Sequence, residues 1–318
     1  MYPALLVGGL ATTLAGIHRG YDMPVVVMAV VLASAVPLLI AQRFMPAERE
    51  WSARPGSFGI DLLHMASTGF TTDMLRVMTL GLVVQVAVAL HGLLGGDLWP
   101  SSWPLLAQFA VALLIGDLGA YWVHRSCHRF PLLWRVHAMH HSSDRMYVFA
   151  AARNHPMNAI LMHTMHLLPV TLLGAPIEVI ALTSVFTGVH GMLQHCNVDL
   201  RHGWFNYVFA TADLHRWHHS ADYAESNRNF GNNLIIWDGL FGTRYLPEGL
   251  PVAVGLGPVT LPESFFAHLL SPFLLNRLLN ERPAPKADAP PAPEPSVLDA
   301  LDAALDPGEP HPESAIVA

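Results

Sequence analysis

Charged side chains are scarce. Only 13% of the 318 residues are Asp, Glu, Lys or Arg, where soluble domains carry roughly a quarter. That shortage argues against a wholly soluble protein, a coiled coil or a disordered chain. The net charge of -7 comes without any basic block, which speaks against nucleic acid as a partner. Cysteine is nearly absent: Cys127 and Cys196 are the two, and they form no CxxC pair. A disulfide framework, a thiolate zinc site, an iron–sulfur cluster and a CxxCH haem attachment therefore all lose support. No GxGxxG fingerprint follows a strand, since Gly8-Gly9 lies in an apolar segment; a nicotinamide or flavin site of that kind is not expected.

Apolar residues fill the gap, at 52% of the chain and a mean hydropathy of +0.37. Charge-free stretches at 1–18, 23–42, 77–96, 98–116, 154–177 and 179–198 are mostly near the roughly 20 residues of one helical crossing. The first lacks a basic leader region and reads as a retained segment. Gly174-Ala175-Pro176 breaks the last two into a helical hairpin. Arg43, Arg49 and Arg54 follow the second stretch, and Arg125, Arg129, Arg135, Arg145 and Arg153 follow the fourth, whereas the 95–103 loop has no basic residue. Positive loops stay cytoplasmic, so both termini and the histidine clusters described next are predicted there, with Trp99 and Trp103 at the opposite headgroup layer. The predicted architecture is an all-α, multi-span transmembrane bundle with a cytoplasmic, histidine-rich, metal-binding cap. Three regions are expected: N-terminal membrane helices and a loop (1–60), a catalytic transmembrane domain (61–282) and a disordered proline- and alanine-rich tail (283–318).

Histidine is the abundant polar residue, with 19 copies against 17 Lys and Arg together. Three clusters stand out: His124-Arg-Ser-Cys-His128, His137-Ala-Met-His140-His141 and His215-Arg-Trp-His218-His219. An HxxHH arrangement is expected by chance about 0.07 times at this histidine frequency, so two copies form a pattern. Residues at i, i+3 and i+4 share a helix face, which predicts three imidazoles projecting to one side from each HxxHH. Eight clustered imidazoles exceed the three or four ligands of one zinc and suit two metals. An O2-activating pair of redox metals meets that demand, whereas zinc would imply hydrolysis. A metal transporter or a haem-binding bundle fits less well, because the ligands gather at one side instead of spreading through the membrane. His195, in Gln194-His195-Cys196-Asn197, is a ninth candidate. His190, about 140° further around a regular helix, is open between ligation and packing. His163 and His166 read as packing or hydrogen-bonding residues, and His18, His64, His91, His202, His268 and His311 as isolated side chains.

The pattern from 117 to 243 resembles the fatty acid hydroxylase and sterol desaturase superfamily of integral-membrane di-iron enzymes. The resemblance rests on Asp117-Leu-Gly-Ala-Tyr121-Trp-Val-His124-Arg125 with Cys127-His128, then Pro131-Leu-Leu-Trp134-Arg135 leading into His137 and His140-His141-Ser142. It continues through Arg153-Asn154-His155-Pro156, Gln194-His195-Cys196-Asn197, His215-Arg216-Trp217-His218-His219-Ser220, Asn229-Phe230-Gly231 and Trp237-Asp238-Gly239-Leu240-Phe241-Gly242-Thr243. Asp213, two residues before His215, departs from the family's frequent proline. The resemblance implies a cytoplasmic cap in which His124, His128, His137, His140, His141, His195, His215, His218 and His219 hold two iron ions. It implies O2 as co-substrate, a lipid substrate that is hydroxylated or desaturated, and electrons from a separate ferredoxin or cytochrome with its reductase.

Neighbouring residues suggest support roles. Asp117 and Tyr121 line the stripe of His124, where a carboxylate accepting an imidazole N–H would fix its tautomer. His155 reads as a supporting or structural residue, Asn229 and Asp238 as braces of the last cluster or turn caps, and both cysteines as small packing residues.

Overall fold

The computed structural model describes residues 1–54, 56–94, 98–257 and 259–280. The region 283–318, expected to be a disordered tail, lies outside them. Among the described residues the chain is helical, with isolated bridges such as Phe209 to Leu234 and Ser220 to Val254 in place of ladders. The first pair is α1 (Tyr2–His18) and α2 (Met23–Phe44). Gly20, in the left-handed region at φ 67°, turns the chain between them, and the Asp22 carboxylate accepts from Val25 N at 3.1 Å to start α2. Both pack on α7 (Ile177–His195), the second limb of the expected hairpin. Its first limb is α6 (Pro156–Leu172), and Gly174 at φ 93° makes the bend.

Between these pairs run α3 (Ser57–Leu94) and α4 (Leu105–Arg129). The described part of the apolar stretch, 77–94, is thus the second half of a 38-residue helix about 57 Å long. That helix already begins at Ser57, ahead of the 60/61 boundary drawn from sequence. The stretch at 98–116 is also redistributed: its helix starts only at Leu105. Trp99 is buried within the protein, where its indole packs with Ala112, Val170 and Val179 and donates Nε1–H to Gln108 Oε1 at 2.7 Å. Trp103 is exposed.

Helices α2, α4 and α7 are long and apolar enough to cross a membrane, and α1 and Gly81–Leu94 are shorter apolar helices. At 25 residues, α4 is longer than the roughly 20-residue hydrocarbon span, so its last turns, carrying His124 and His128, rise towards one end of the bundle. The same end gathers the arginine-bearing loops. Arg145 donates to the carbonyls of Glu50 and Ser52, Arg54 pairs with Asp144, and Asn197 exchanges hydrogen bonds with the Glu48 backbone. Short helices complete that end: α5 (Pro131–His137), α8 (Ala212–His218), α9 (Tyr223–Ser226), α10 (Ile236–Leu240) and α11 (Phe265–Asn280).

The α4 and α6 backbones touch. A Cβ on Gly116 or Gly119 would lie 2.5 Å from the His166 carbonyl oxygen or 2.2 Å from that of Met165, the close approach that small residues allow between membrane helices. Gly119→Ala therefore separates α4 from α6 and destabilises the protein by about 1–3 kcal/mol. Thermal unfolding in detergent tests this, and a melting temperature equal to the parent's contradicts it.

Candidate metal centre

The imidazoles converge in two groups. His124, His128, His137, His141 and His218 form one; His140, His195, His215 and His219 form the other, with the candidate ligand atoms of each group within 4.8 Å of one another. All nine residues predicted as ligands are thus brought together. Each HxxHH motif, however, is divided between the groups, contrary to the expectation of one common side. His137 and His141 go one way and His140 the other; His215 and His219 go one way and His218 the other. Helical geometry explains this. Adjacent positions sit about 100° apart on an α-helix and about 120° apart in a 3-10 turn such as that at His140–Ser142, and the His140–His141 and His218–His219 rings lie at 87° and 88° to each other. The two motifs thereby interlock, each lending its i+3 histidine to the other, and His141 and His219 stack between the groups at 4.4 Å.

Hydrogen bonds on the outer nitrogens fix where the lone pairs point. His124 Nδ1 donates to the Phe230 carbonyl (2.8 Å) and His137 Nδ1 to Asn158 Oδ1 (3.1 Å). His218 Nδ1 donates to Arg228 O (2.7 Å), His195 Nδ1 to Gly191 O (2.9 Å) and His140 Nδ1 to Arg153 O (3.3 Å). A neutral imidazole has one N–H, so each of these rings presents an unprotonated Nε2 inward. The Nε2 atoms of His124 and His137 nevertheless face each other at 3.1 Å, as do those of the His141–His137, His215–His195 and His219–His215 pairs. Between His124 and His137, whose Nδ1 protons are both committed outward, two lone pairs face each other and cannot bond. A cation shared by the converging nitrogens resolves the repulsion, and His218 Nε2 and both nitrogens of His128 are buried without any hydrogen-bond partner. The donor set therefore fits divalent metals that take imidazole, among them iron, zinc and copper.

Burial, followed by the neighbouring imidazoles, holds His137, His141, His215, His218 and His219 well below the usual histidine value. Burial brings His140 down to about 4. The cap thus keeps these rings neutral, as ligands must be.

Much of this depends on a strap at 228–231. Its Arg228 and Phe230 carbonyls hold His218 and His124, and Asp238 pins it by accepting from Phe230 N and Gly231 N at 2.7 Å each. Thr243 Oγ1 donates to the same Asp238 carboxylate at 2.6 Å and meets Tyr121 OH at 3.0 Å. Gly231 leaves room for this, since a Cβ there would lie 2.2 Å from Leu234 O. Asn229 occupies the left-handed region at φ 56° and is held by Leu214 O, Tyr245 O and Tyr245 N.

Other predicted residues sit elsewhere. Asp117 touches no imidazole: both oxygens accept from backbone N–H groups, Asn233 at 2.6 Å and Leu234 at 3.0 Å, and this ties the loop before α10 to α4. His155 caps α6 by accepting from Met157 N (3.2 Å) and donates to Leu269 O (3.2 Å). His190 bonds Tyr2 OH at 2.7 Å, turned towards α1. His64 and His268, read as isolated, bond each other at 3.0 Å.

Two contributors were missed. Asn158 orients His137, and its i,i+4 spacing from Asn154, which accepts its amide at 2.6 Å, was the available signal. Arg153 presents its carbonyl to His140 because its guanidinium is anchored to Asp61 Oδ1 (2.7 Å), Tyr147 OH (3.1 Å) and Glu263 (3.2 Å). That partner set spans some 200 residues of sequence, and no local pattern announces it.

Residues 109–243 match the sequence profile of the fatty acid hydroxylase family. The chain is 34% identical over 281 residues to the ornithine lipid hydroxylase OlsE of Rhizobium tropici, covering 86% of this chain and 83% of that protein. It is 30% identical over 177 residues to alkylglycerol monooxygenase of Homo sapiens, covering 54% of this chain and 38% of that protein. It is 28% identical over 152 residues to sphinganine C4-monooxygenase 1 of Arabidopsis thaliana, covering 46% and 56%. No solved structure matches.

Two outcomes follow from this geometry. Histidines depressed in the folded state take up protons only after unfolding, so the metal-free protein loses stability as pH falls from 6.5, the ordinary histidine value, towards the value of about 4 at His140. A melting temperature flat across that window contradicts the buried neutral cluster. Asp238→Asn replaces an acceptor facing two backbone N–H groups, loosens the strap and lowers metal affinity about 10–100-fold. Metal retained after dialysis against graded chelator measures this, and parental retention contradicts it.

Proposed function

Since the chain belongs to the fatty acid hydroxylase family, we propose that it is a membrane-bound, non-haem di-iron oxygenase that hydroxylates an unactivated C–H bond of a lipid. His124, His128, His137, His141 and His218 hold one iron and His140, His195, His215 and His219 the other. The observation that carries the reading is the convergence of nine buried imidazoles into two groups whose candidate ligand atoms lie within 4.8 Å of one another, with the unprotonated Nε2 atoms of His124 and His137 facing each other at 3.1 Å, a repulsion that a cation relieves. Iron is favoured over zinc because the named relatives are oxygenases and zinc has no redox chemistry.

The chemistry supplied by two bound irons is reduction of O2 with replacement of a lipid hydrogen by hydroxyl, water being the second product. This chain's residues do the rest. The Phe230, Arg228, Gly191 and Arg153 carbonyls and the Asn158 amide oxygen orient their rings, keeping the lone pairs inward. Burial of the nine imidazoles keeps bulk water out. Helices α4 and α7 carry His124, His128 and His195 to the end of the membrane-spanning bundle, so an apolar chain can approach sideways from the bilayer. Asp238 and Asn229 serve as strap braces, Tyr121 as a contact of Thr243 in that brace, and Asp117 and His155 as ties between elements.

The substrate is a polar lipid of the aminoacyl type. A relative that shares 83% of its length with this chain is an ornithine lipid hydroxylase, and hydroxylation is favoured over desaturation on the same ground. Electrons come from a separate ferredoxin or cytochrome with its reductase. The cap and both termini lie in the cytoplasm, on the side of the arginine-bearing loops.

Comparing the lipids of aerobically grown cells that express the protein or its His140→Ala variant tests the proposal. A lipid one oxygen heavier, absent in the variant, is the expected outcome. A species two hydrogens lighter indicates a desaturase instead. No change in any lipid, with iron bound and a reductant supplied, overturns the oxygenase reading.

A further inference from the structure

A site that needs electrons from another protein and is walled by buried imidazoles needs a conducting route to its surface. All nine imidazoles are buried, and so is Phe230, whose ring meets His124, His128 and His218 at 5.9, 5.2 and 5.9 Å. Trp134 differs. Its indole lies 5.1 Å from His128, 5.5 Å from His141 and 6.2 Å from His137, three members of the five-imidazole group, yet it is only half-buried. Among the described residues, Phe230 and Trp134 are the aromatic rings other than imidazole that meet this group, and Trp134 alone of the two reaches the surface. Tunnelling falls steeply with distance, so a π system bridging ligand rings and solvent shortens the effective gap.

The surroundings of the indole suit a protein partner. Residues 118–143 carry Arg125, Arg129 and Arg135 and no aspartate or glutamate. Leu132 and Phe130, next to Trp134 on and before α5, are 75% and 49% exposed. An exposed apolar centre bordered by arginine complements an acidic protein surface, the arrangement that speeds encounter between redox partners.

We propose that Trp134 is the electron relay into the five-imidazole site, and that the α5 face bearing Leu132 and Arg135 docks an acidic one-electron carrier. This rests on the oxygenase reading above. In each transfer the reduced carrier loses one electron and the iron-loaded centre gains it, with no bond made or broken.

The test uses the full-length, iron-loaded protein in lipid nanodiscs, reduced either by an acidic [2Fe–2S] ferredoxin or by dithionite, which needs no docking face. The readout is the absorbance change of the iron centre. Trp134→Leu lowers the ferredoxin rate relative to the dithionite rate about tenfold, and Trp134→Phe restores most of it. Arg135→Glu weakens ferredoxin binding to the protein about tenfold at low salt, and the difference fades at high salt. Equal loss with both reductants marks the indole as structural and overturns the relay, as does an unchanged ratio. If Arg135→Glu weakens binding to anionic lipid vesicles but leaves ferredoxin binding intact, the face contacts membrane and the docking proposal falls. Failure of the iron-loaded parent to oxidise any lipid with either reductant is a separate result, and it overturns the oxygenase reading together with the relay.

Discussion

Lone-pair repulsion between neutral imidazoles governs the cap. Nine rings buried in one place cannot all be protonated, because burial penalises the charge, and where the outer nitrogens already hold the protons, as in His124 and His137, they cannot satisfy one another by hydrogen bonds. The inner faces are left electron-rich and crowded. An apolar core of the same volume would be easier to fold, since buried polar groups without partners cost about 1–3 kcal/mol each. The arrangement makes sense as a site whose stability is completed by metal, with the rest of the chain built to tolerate it meanwhile.

That tolerance comes from the backbone. Carbonyls of Arg153, Gly191, Arg228 and Phe230 each take an imidazole proton, and each belongs to a segment pinned by something else. Gly191 is held by the regular turns of α7, Arg153 by its buried ion pair with Asp61, and the 228–231 strap by Asp238 and by Asn229 in its left-handed conformation. Carbonyl acceptors select one tautomer without adding charge. A carboxylate in direct contact would also select it, but would draw the ring towards protonation and compete with a cation for it. Asp117 and Asp238 hold backbone N–H groups instead, one step removed from the rings.

Membership of the histidine set was legible in sequence because i,i+3 and i,i+4 spacings are local, and a helix converts them into shared faces. Its division was not. His140 and His141 are chain neighbours in a 3-10 turn, about 120° apart, and only the opposing motif decides which ring joins which group. Tertiary packing also settled His190: the rotation that carries it away from His195 directs it to Tyr2, at the far end of the sequence. The partner of Trp99 was not legible either: the Gln108 oxygen is what lets this indole turn inward. Arg153 with Asp61 and Glu263, and His64 with His268, are pairings that join α3 to the segment before α6 and to α11 and the residues before it, and composition cannot announce them.

The height of the site along α4 constrains the substrate. On the proposed function, a hydrocarbon span of about 20 residues counted from Leu105 would put His124 at its edge, where acyl chains give way to headgroups. A free fatty chain would have to rise out of the bilayer to reach them. A polar lipid need only slide sideways, its headgroup remaining in the interfacial layer and its chain in the hydrocarbon. The carbon attacked is then set by the depth at which the headgroup stops. On this argument position selectivity depends on what holds the headgroup at the cap, and the metal ligands, fixed by their carbonyl partners, can stay the same among enzymes that hydroxylate different lipids.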